Sequence, residues 1–256
     1  MSLPKDNKLM YLLNAWVPGM VGTTPWLHDL GISKQLVQKY KQSGWLTGLG
    51  RGAYIKSNEE LDWQGAIYAL QKQLKLDIHV GGITALNSLG MSHYLQTNEK
   101  KIYLFSSGNL SLPKWFEKQD WGVEIESVNT SFLPEKHGIR EHGYGSFPLA
   151  SSTAERAALE NIYLSQKSFE LLESYQIVEG LTTLRPNLMQ ELLEKCTSIK
   201  VKRLFLYMAE KAQLPAMKHI ELEKIDLGIG DRSIVKNGVY DSKYGLVLPK
   251  ELVEYA

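Results

Sequence analysis

Six residues between positions 33 and 51 combine the side-chain chemistries that read and grip a nucleic acid. Ser33, Lys34, Gln35, Gln38 and Lys41 fall within nine consecutive residues, and Arg51 follows ten residues later. A glutamine amide donates and accepts in one plane and can pair with a base edge. Lysine and arginine meet phosphate oxygens, and a serine hydroxyl serves either surface. No carboxylate lies between Ile32 and Asn58 to repel such a partner.

Other chemistry-bearing residues lead to a weaker reading. Asp120, Glu124 and Glu126 suggest the acids with which metal-dependent nucleases hold Mg²⁺. The lysine expected two residues after such an acid is missing, because Ser127 and Val128 follow Glu126. We therefore read the acids as the solvent face of a half-exposed strand. His137 and His142 are five apart, with no Cys, Asp or third His at metal-ligand spacing, so no metal site is expected. His79 and His93 read as isolated polar contacts, and no Ser, His and Asp fall into a triad pattern. The single cysteine, Cys196, excludes an internal disulfide and follows Leu192 and Leu193, so it reads as a buried small hydrophobe. The sequence points to a non-enzymatic chain with no cofactor.

Two short helices and a hairpin would position the first set. Trp26, Leu27 and Leu30 give a first helix its apolar face. Gly31 stands where the chain must turn with positive φ, Ile32 packs beneath, and Ser33 can cap the next helix. There Leu36, Val37 and Tyr40 form the inner stripe and leave Lys34, Gln35, Gln38, Lys41 and Gln42 outside. After Gly44, residues 45–47 and 53–55 read as paired strands around Gly48-Leu49-Gly50-Arg51-Gly52, with Arg51 at the tip. Three glycines in five residues could cradle a phosphate, but no helix follows Gly52. The pattern is a winged helix-turn-helix.

Charge marks the same region. Residues 1–57 carry seven Lys/Arg and two acids, a net of +5, whereas the remaining 22 basic and 26 acidic residues leave −4. The chain's 256 residues, 43% hydrophobic, suffice for two or three domains. We expect a winged domain over 1–57, a middle α+β region over 58–148 and a C-terminal α+β region over 149–256. There is no apolar run of about 18 residues, and MSLPKDNKLM lacks the apolar core of a signal peptide. A cytoplasmic location follows as the expectation.

The remaining elements read as follows. Helices are expected over 8–16, over 63–74 behind an Asp62 cap, and over 84–89. Strands are expected over 101–106 and 121–128, and a glycine- and histidine-rich loop over 137–148. The run from Ser151 to Arg156 opens a helix, with further helices over 168–178, 185–195 and 200–212. In the last, Leu204, Phe205 and Met208 should be buried, leaving Lys200, Lys202, Arg203 and Lys211 outside. Short strands then follow over 220–225, 233–235 and 246–248, with Asn237-Gly238 as a hairpin dipeptide. The fold class is α+β: an N-terminal winged helix-turn-helix, then a larger mixed α/β region.

Four segments together resemble one family. LGISKQLVQKYKQSGWLTGLGRGAY resembles the N-terminal winged helix of the AbiEi antitoxins of type IV toxin–antitoxin systems. TAERAALE resembles that family's helix around a Glu-Arg-Ala core, and IKVKRLFLYMAEKA and IDLGIGDRSIVKNGVYDSKYGLVLP are similar to its longer members. The resemblance implies an autorepressor whose winged helix binds double-stranded operator DNA, with Ser33, Lys34, Gln35 and Gln38 facing the groove and Arg51 on the wing. It also implies a C-terminal region that counteracts a nucleotidyltransferase-like toxin without a stable complex. The basic positions matched there are Lys200, Lys202, Arg203 and Arg232. Two alternatives remain open: a nuclease-like or nucleotide-processing enzyme with a DNA-targeting winged helix, and a ligand-responsive transcription factor with no toxin.

Overall fold

The structure, a computed structural model, describes residues 5–91, 101–108, 110–165 and 168–255. In chain order the elements begin with α1 (Lys5–Ala15), β1 (Gly22–Thr23), α2 (Thr24–Asp29), α3 (Lys34–Gln42), β2 (Leu46–Gly50) and β3 (Ala53–Lys56). Next come α4 (Trp63–Tyr68), continued by a π-helical stretch Ala69–Gln73, then β4 (His79–Val80), α5 (Gly82–Ser88) and β5 (Lys101–Ser106). After α6 (Lys114–Glu117) follow β6 (Glu124–Asn129), β7 (Ile139–Tyr144) and β8 (Phe147–Ser152). The C-terminal portion holds α7 (Ala154–Leu164), α8 (Ser168–Gly180), α9 (Pro186–Lys195) and α10 (Ile199–Lys211). Two short 3₁₀ turns then lead to β9 (Arg232–Ser233), β10 (Val239–Asp241), β11 (Leu246–Leu248) and α11 (Lys250–Glu254). The fold is α+β, with a winged helix-turn-helix at its N-terminus.

The chain gathers into two compact units. The first takes in 1–78, 109–124 and 141–150, and the second 79–108, 125–140 and 151–256. The segment 58–148 thus contributes residues to both. In the first unit, β1, β3 and β2 form an antiparallel sheet, with β3 central. Its core is set by Leu12 of α1 and by Trp16 just beyond that helix, both buried, and Trp16 meets Trp26 edge-on at 5.1 Å. Gly22 passes directly beneath this pair: a Cβ there would stand 2.5 Å from the Trp16 ring, so only glycine fits.

Strand β4 pairs antiparallel with β5 and parallel with β8 in a five-stranded sheet of order β6-β5-β4-β8-β7, whose β7 and β8 run mostly through 141–150. Helices α5, α7, α8, α9 and α10 bury one continuous apolar core, including Leu86, Leu159, Leu171, Leu192 and Phe205. A smaller sheet of order β10-β11-β9 shares that core through Leu246 and Leu248.

Several sequence expectations give way here. The stretch 137–148 is no loop, but most of the β7–β8 hairpin, turning at Gly145 with φ +57°. Pro148 lies in β8 away from Ser151, where β4 meets that strand opposite Val80, so the missing N–H costs no bond to β4. The strand at 121–128 begins only at Glu124, since Trp121 turns inward against Phe116 at 5.3 Å. Residues 151–152 end β8, and the helix starts after Thr153. The segment 220–225 forms 3₁₀ turns instead of a strand. Its apolar residues Ile220 and Leu222 pack against the core and Ile225 lies within it, spaced two and then three apart, so no alternating strand face is kept.

Candidate nucleic-acid interface

Both helices of the helix-turn-helix end by the same device. At the end of α2, Gly31 lies at φ +73°; its N–H donates to His28 O at 2.8 Å, and Ile32 N–H donates to Leu27 O at 2.9 Å. At the end of α3, Gly44 lies at φ +76°, its N–H donates to Lys41 O, and Trp45 N–H donates to Tyr40 O at 2.9 Å. These are Schellman caps, in which a left-handed residue satisfies the last carbonyls and turns the chain sharply. Ser33 caps α3 as expected: its Oγ accepts from Leu36 N–H at 3.3 Å. Lys8 of α1 donates to Gly31 O at 3.2 Å and fixes the turn from outside.

This geometry sorts α3 into two faces. Val37 and Tyr40 are buried and Leu36 is half-buried, whereas Ser33, Lys34, Gln35, Gln38 and Lys41 are exposed. Among the described residues the side chains of Lys34, Gln35, Gln38 and Lys41 have no hydrogen-bond or ion-pair partner. Their donors are therefore free for an external acceptor. Arg51 likewise stands exposed in the turn between β2 and β3, with no ion-pair partner among the described residues. The wing is tighter than expected: β2 runs through to Gly50, with a bulge between Gly48 and Gly50, and only Arg51 and Gly52 form the turn. Trp45 precedes β2 and is 46% exposed, because the cap at Gly44 swings it outward.

Residues beyond 57 hold this apparatus in place, and nothing in the sequence marked them for it. The carboxamide of Gln73 accepts from Thr23 N–H at 2.8 Å and donates to Val21 O at 2.9 Å, clamping β1 like an added strand. Gln71 does the same to Ala150, accepting its N–H at 2.8 Å and donating to its carbonyl at 3.1 Å. Both side chains project from the π-helical stretch Ala69–Gln73, where a π-bulge changes the direction of successive side chains. Gly50 of β2 packs on Trp115 of α6, whose Cβ lies 3.1 Å from where a glycine Cβ would stand.

The second unit is organised around the acidic and basic residues of TAERAALE. Glu160, fully buried, accepts from Arg156 Nε at 2.7 Å, from Ser152 Oγ at 2.7 Å and from Gly82 N–H at 3.0 Å. Its carboxylate also lies 2.8 Å from His79 Nε2, so His79 belongs to a buried network and is not isolated. Burial alone would raise the Glu160 pKa, but His79, Arg156 and Ser152 outweigh it and hold the group below 4.5. Glu155 is gripped at both oxygens by Arg185, at 3.0 and 2.8 Å, and its pKa is likewise lowered against the effect of burial.

The four basic residues singled out toward the C-terminus do not form one exposed patch. Lys202 and Arg203 are 2% and 5% exposed, which corrects the expectation that they lie outside, while Leu204, Phe205 and Met208 are buried as expected. The reason is that α10 packs against α7 and α8 and lies under the loop after residue 225, so it has almost no solvent face. Arg203 donates to four carbonyls, those of Leu227, Gly228, Gly230 and Gly245, at 2.7–3.2 Å. Lys200 is half-buried, Lys211 donates to Val253 O at 3.1 Å, and Arg232 donates to Ile229 O and Asp231 O.

Among the described residues no three His, Cys, Asp or Glu side chains converge as a metal site. Asp120 accepts from Gly122 N–H at 2.9 Å, and Glu126 pairs with Lys101. His137 lies 2.6 Å from the Glu191 carboxylate, and His142 stacks edge-on with Tyr144. His93 lies outside the described residues. Burial pushes the Cys196 thiol up to about 11, away from nucleophilic chemistry. Among the described residues no helix is long and apolar enough to cross a membrane.

Family comparison agrees with this geometry at both ends of the chain. A model described as the AbiEi antitoxin N-terminal domain of a transcriptional regulator matches residues 5–97. A second, described as a transcriptional regulator, AbiEi antitoxin of a type IV toxin–antitoxin system, matches residues 99–249. The chain belongs to the AbiEi antitoxin family. The AbiEi fold of this chain is similar to the crystal structure of the RV2827C protein from Mycobacterium tuberculosis, with a TM-score of 0.59 at 13% identity. That similarity covers 98% of this chain and 94% of the other. The comparison with curated proteins gives no match. As an AbiEi antitoxin the chain is classed with transcriptional regulators, and an exposed recognition helix beside a wing is consistent with DNA binding.

Proposed function

We propose that this AbiEi antitoxin binds duplex DNA upstream of its own gene through α3 and the β2–β3 wing, and so represses its own operon. Its C-terminal region, 149–256, counteracts a nucleotidyltransferase-like toxin without forming a stable complex with it, and both activities take place in the cytoplasm. One observation carries the DNA-binding part: Lys34, Gln35, Gln38 and Lys41 on α3, with Arg51 on the wing, are exposed and make no side-chain bond among the described residues. Charged and amide donors left unspent on one helix face match the mixture of phosphate and base-edge contacts that a major groove requires. In the antitoxic region, Arg203 serves as a frame. It fixes the loop 226–231, whose Asp226, Ile229 and Asp231 are exposed and which leads to the half-buried Arg232.

The test is a binding titration of the full chain against a duplex from upstream of its own gene and a scrambled duplex, at several salt concentrations. Tighter binding to the native duplex, with log K falling steeply against log salt, is the expected result. Equal affinity for both duplexes, or none for either, overturns the repressor reading. Rescue of cells expressing the toxin encoded beside the gene tests the second half, and failure to rescue overturns it.

A further inference from the structure

Strand β2 carries more than the wing. Along it, the Lys41 ammonium lies over Gly48, 3.4 Å from where a Cβ would stand, and Trp115 lies over Gly50 at 3.1 Å. Arg51 follows at once in the turn. Two glycines thus let one cation from α3 and one helix from far along the sequence settle on the same strand. The helix is α6. It is held in place by an aromatic cluster in which Trp115 meets Phe116 at 5.8 Å and Trp121 at 6.4 Å, and Trp121 Nε1 donates to Phe116 O at 2.9 Å. Trp115 and Phe116 are buried, whereas Lys114 and Lys118 on either side are exposed and make no ion pair among the described residues. One carboxylate, Glu117, shares this short helix, so two cations still face one anion; Asp120 turns its carboxylate into its own loop.

We propose that Lys114 and Lys118 form a second phosphate-binding strip, which continues the DNA contact from α3 across the wing to α6. The strip rests on the reading of α3 and the wing as a duplex-binding surface. It reads no sequence: isolated lysines on a helix neutralise backbone phosphates, and each phosphate contact adds to the salt dependence, not to base discrimination. Because α6 lies some sixty residues after the wing in sequence, no reading of the winged helix alone would assign it.

The experiment compares the full chain with a Lys114→Ala, Lys118→Ala double variant and with Lys114→Arg, Lys118→Arg. Each is titrated with the upstream duplex and its scrambled counterpart across a salt series, and its thermal unfolding is recorded. The alanine pair is expected to lower the slope of log K against log salt by about 1.8, from the loss of two contacts at roughly 0.9 each. Both duplexes should weaken by the same factor, with the unfolding midpoint unchanged. The arginine pair should bind as the parent does. If the parent binds duplex DNA steeply and the alanine pair keeps its slope, the strip does not exist. If the arginine pair also loses affinity, charge is not what these positions supply and the proposal falls. If the parent binds no duplex at all, it is the reading of the winged helix that fails.

Discussion

Gln35 and Gln38 are the residues whose removal should register in sequence preference. Alanine at either position should cost about 1–3 kcal/mol on the preferred duplex and little on a scrambled one, because only base-edge contacts are lost. Arg51→Ala should weaken both duplexes nearly equally and lower the salt slope by about one ion. An unchanged preference in the glutamine variants would remove α3 from the groove. Charge inside the second unit behaves differently. Glu160 is fully buried between Arg156, Ser152, Gly82 N–H and His79, and its folded pKa lies below the ordinary 4.5. A depressed carboxyl contributes stability that is present above its unfolded value and is lost as the pH falls through its folded value. Glu160→Gln should therefore cost about 3–5 kcal/mol at neutral pH, since it leaves Arg156 and His79 buried without their anion. It should also flatten the loss of stability below pH 4.5. Urea unfolding at pH 7 and in acid checks both points, and a variant as stable as its parent would refute them.

At the scale of elements, two glycines of the winged helix should fail for different reasons. Gly22 would place a Cβ 2.5 Å from the Trp16 ring and 3.0 Å from Trp26, so Gly22→Ala forces the aromatic pair apart, at about 1–3 kcal/mol. Gly31 has open space around it but sits at φ +73°, so Gly31→Ala should cost nearer to about 1 kcal/mol through backbone strain alone. Thermal unfolding separates the two, and a larger loss at Gly31 would contradict the assignment. These positions also show what the sequence could reveal. Gly31, Ser33 and the stripe Val37 and Tyr40 were legible because caps and helical spacing are local properties. Gln73, Trp115 and β1 were not, because a side-chain amide that completes a two-residue strand, or a tryptophan that backs a wing, acts between segments far apart in sequence. The burial of Lys202 and Arg203 was hidden for the same reason. A helix with apolar and basic stripes looks half-exposed until the loop 226–231 closes over its basic side.

At the scale of the whole molecule, charge and chain path set how the two proposed activities can be separated. The +5 of residues 1–57 is diluted within its own unit, where eleven Lys/Arg meet ten Asp/Glu, and the other unit holds eighteen of each. Duplex binding therefore depends on where the free cations stand, not on a net field. The chain also crosses between units at 78/79, 108/109, 124/125, 140/141 and 150/151, so a single cut near Ser57 removes β1 from Gln73 and β2 from Trp115. Point variants make the cleaner division. A chain carrying Gln35→Ala, Gln38→Ala and Arg51→Ala alters only exposed side chains that make no bond among the described residues. It should unfold at the parent's midpoint, lose repression of its own promoter in a reporter strain and still rescue cells from the neighbouring toxin. Arg203→Met should do the opposite. Four carbonyl partners lose their donor, at a cost of about 2–4 kcal/mol to the second unit, and the loop 226–231 loses its anchor. Protection from the toxin should fall while duplex binding persists. If the triple variant loses protection together with repression, the two activities share one surface and the division proposed here is wrong.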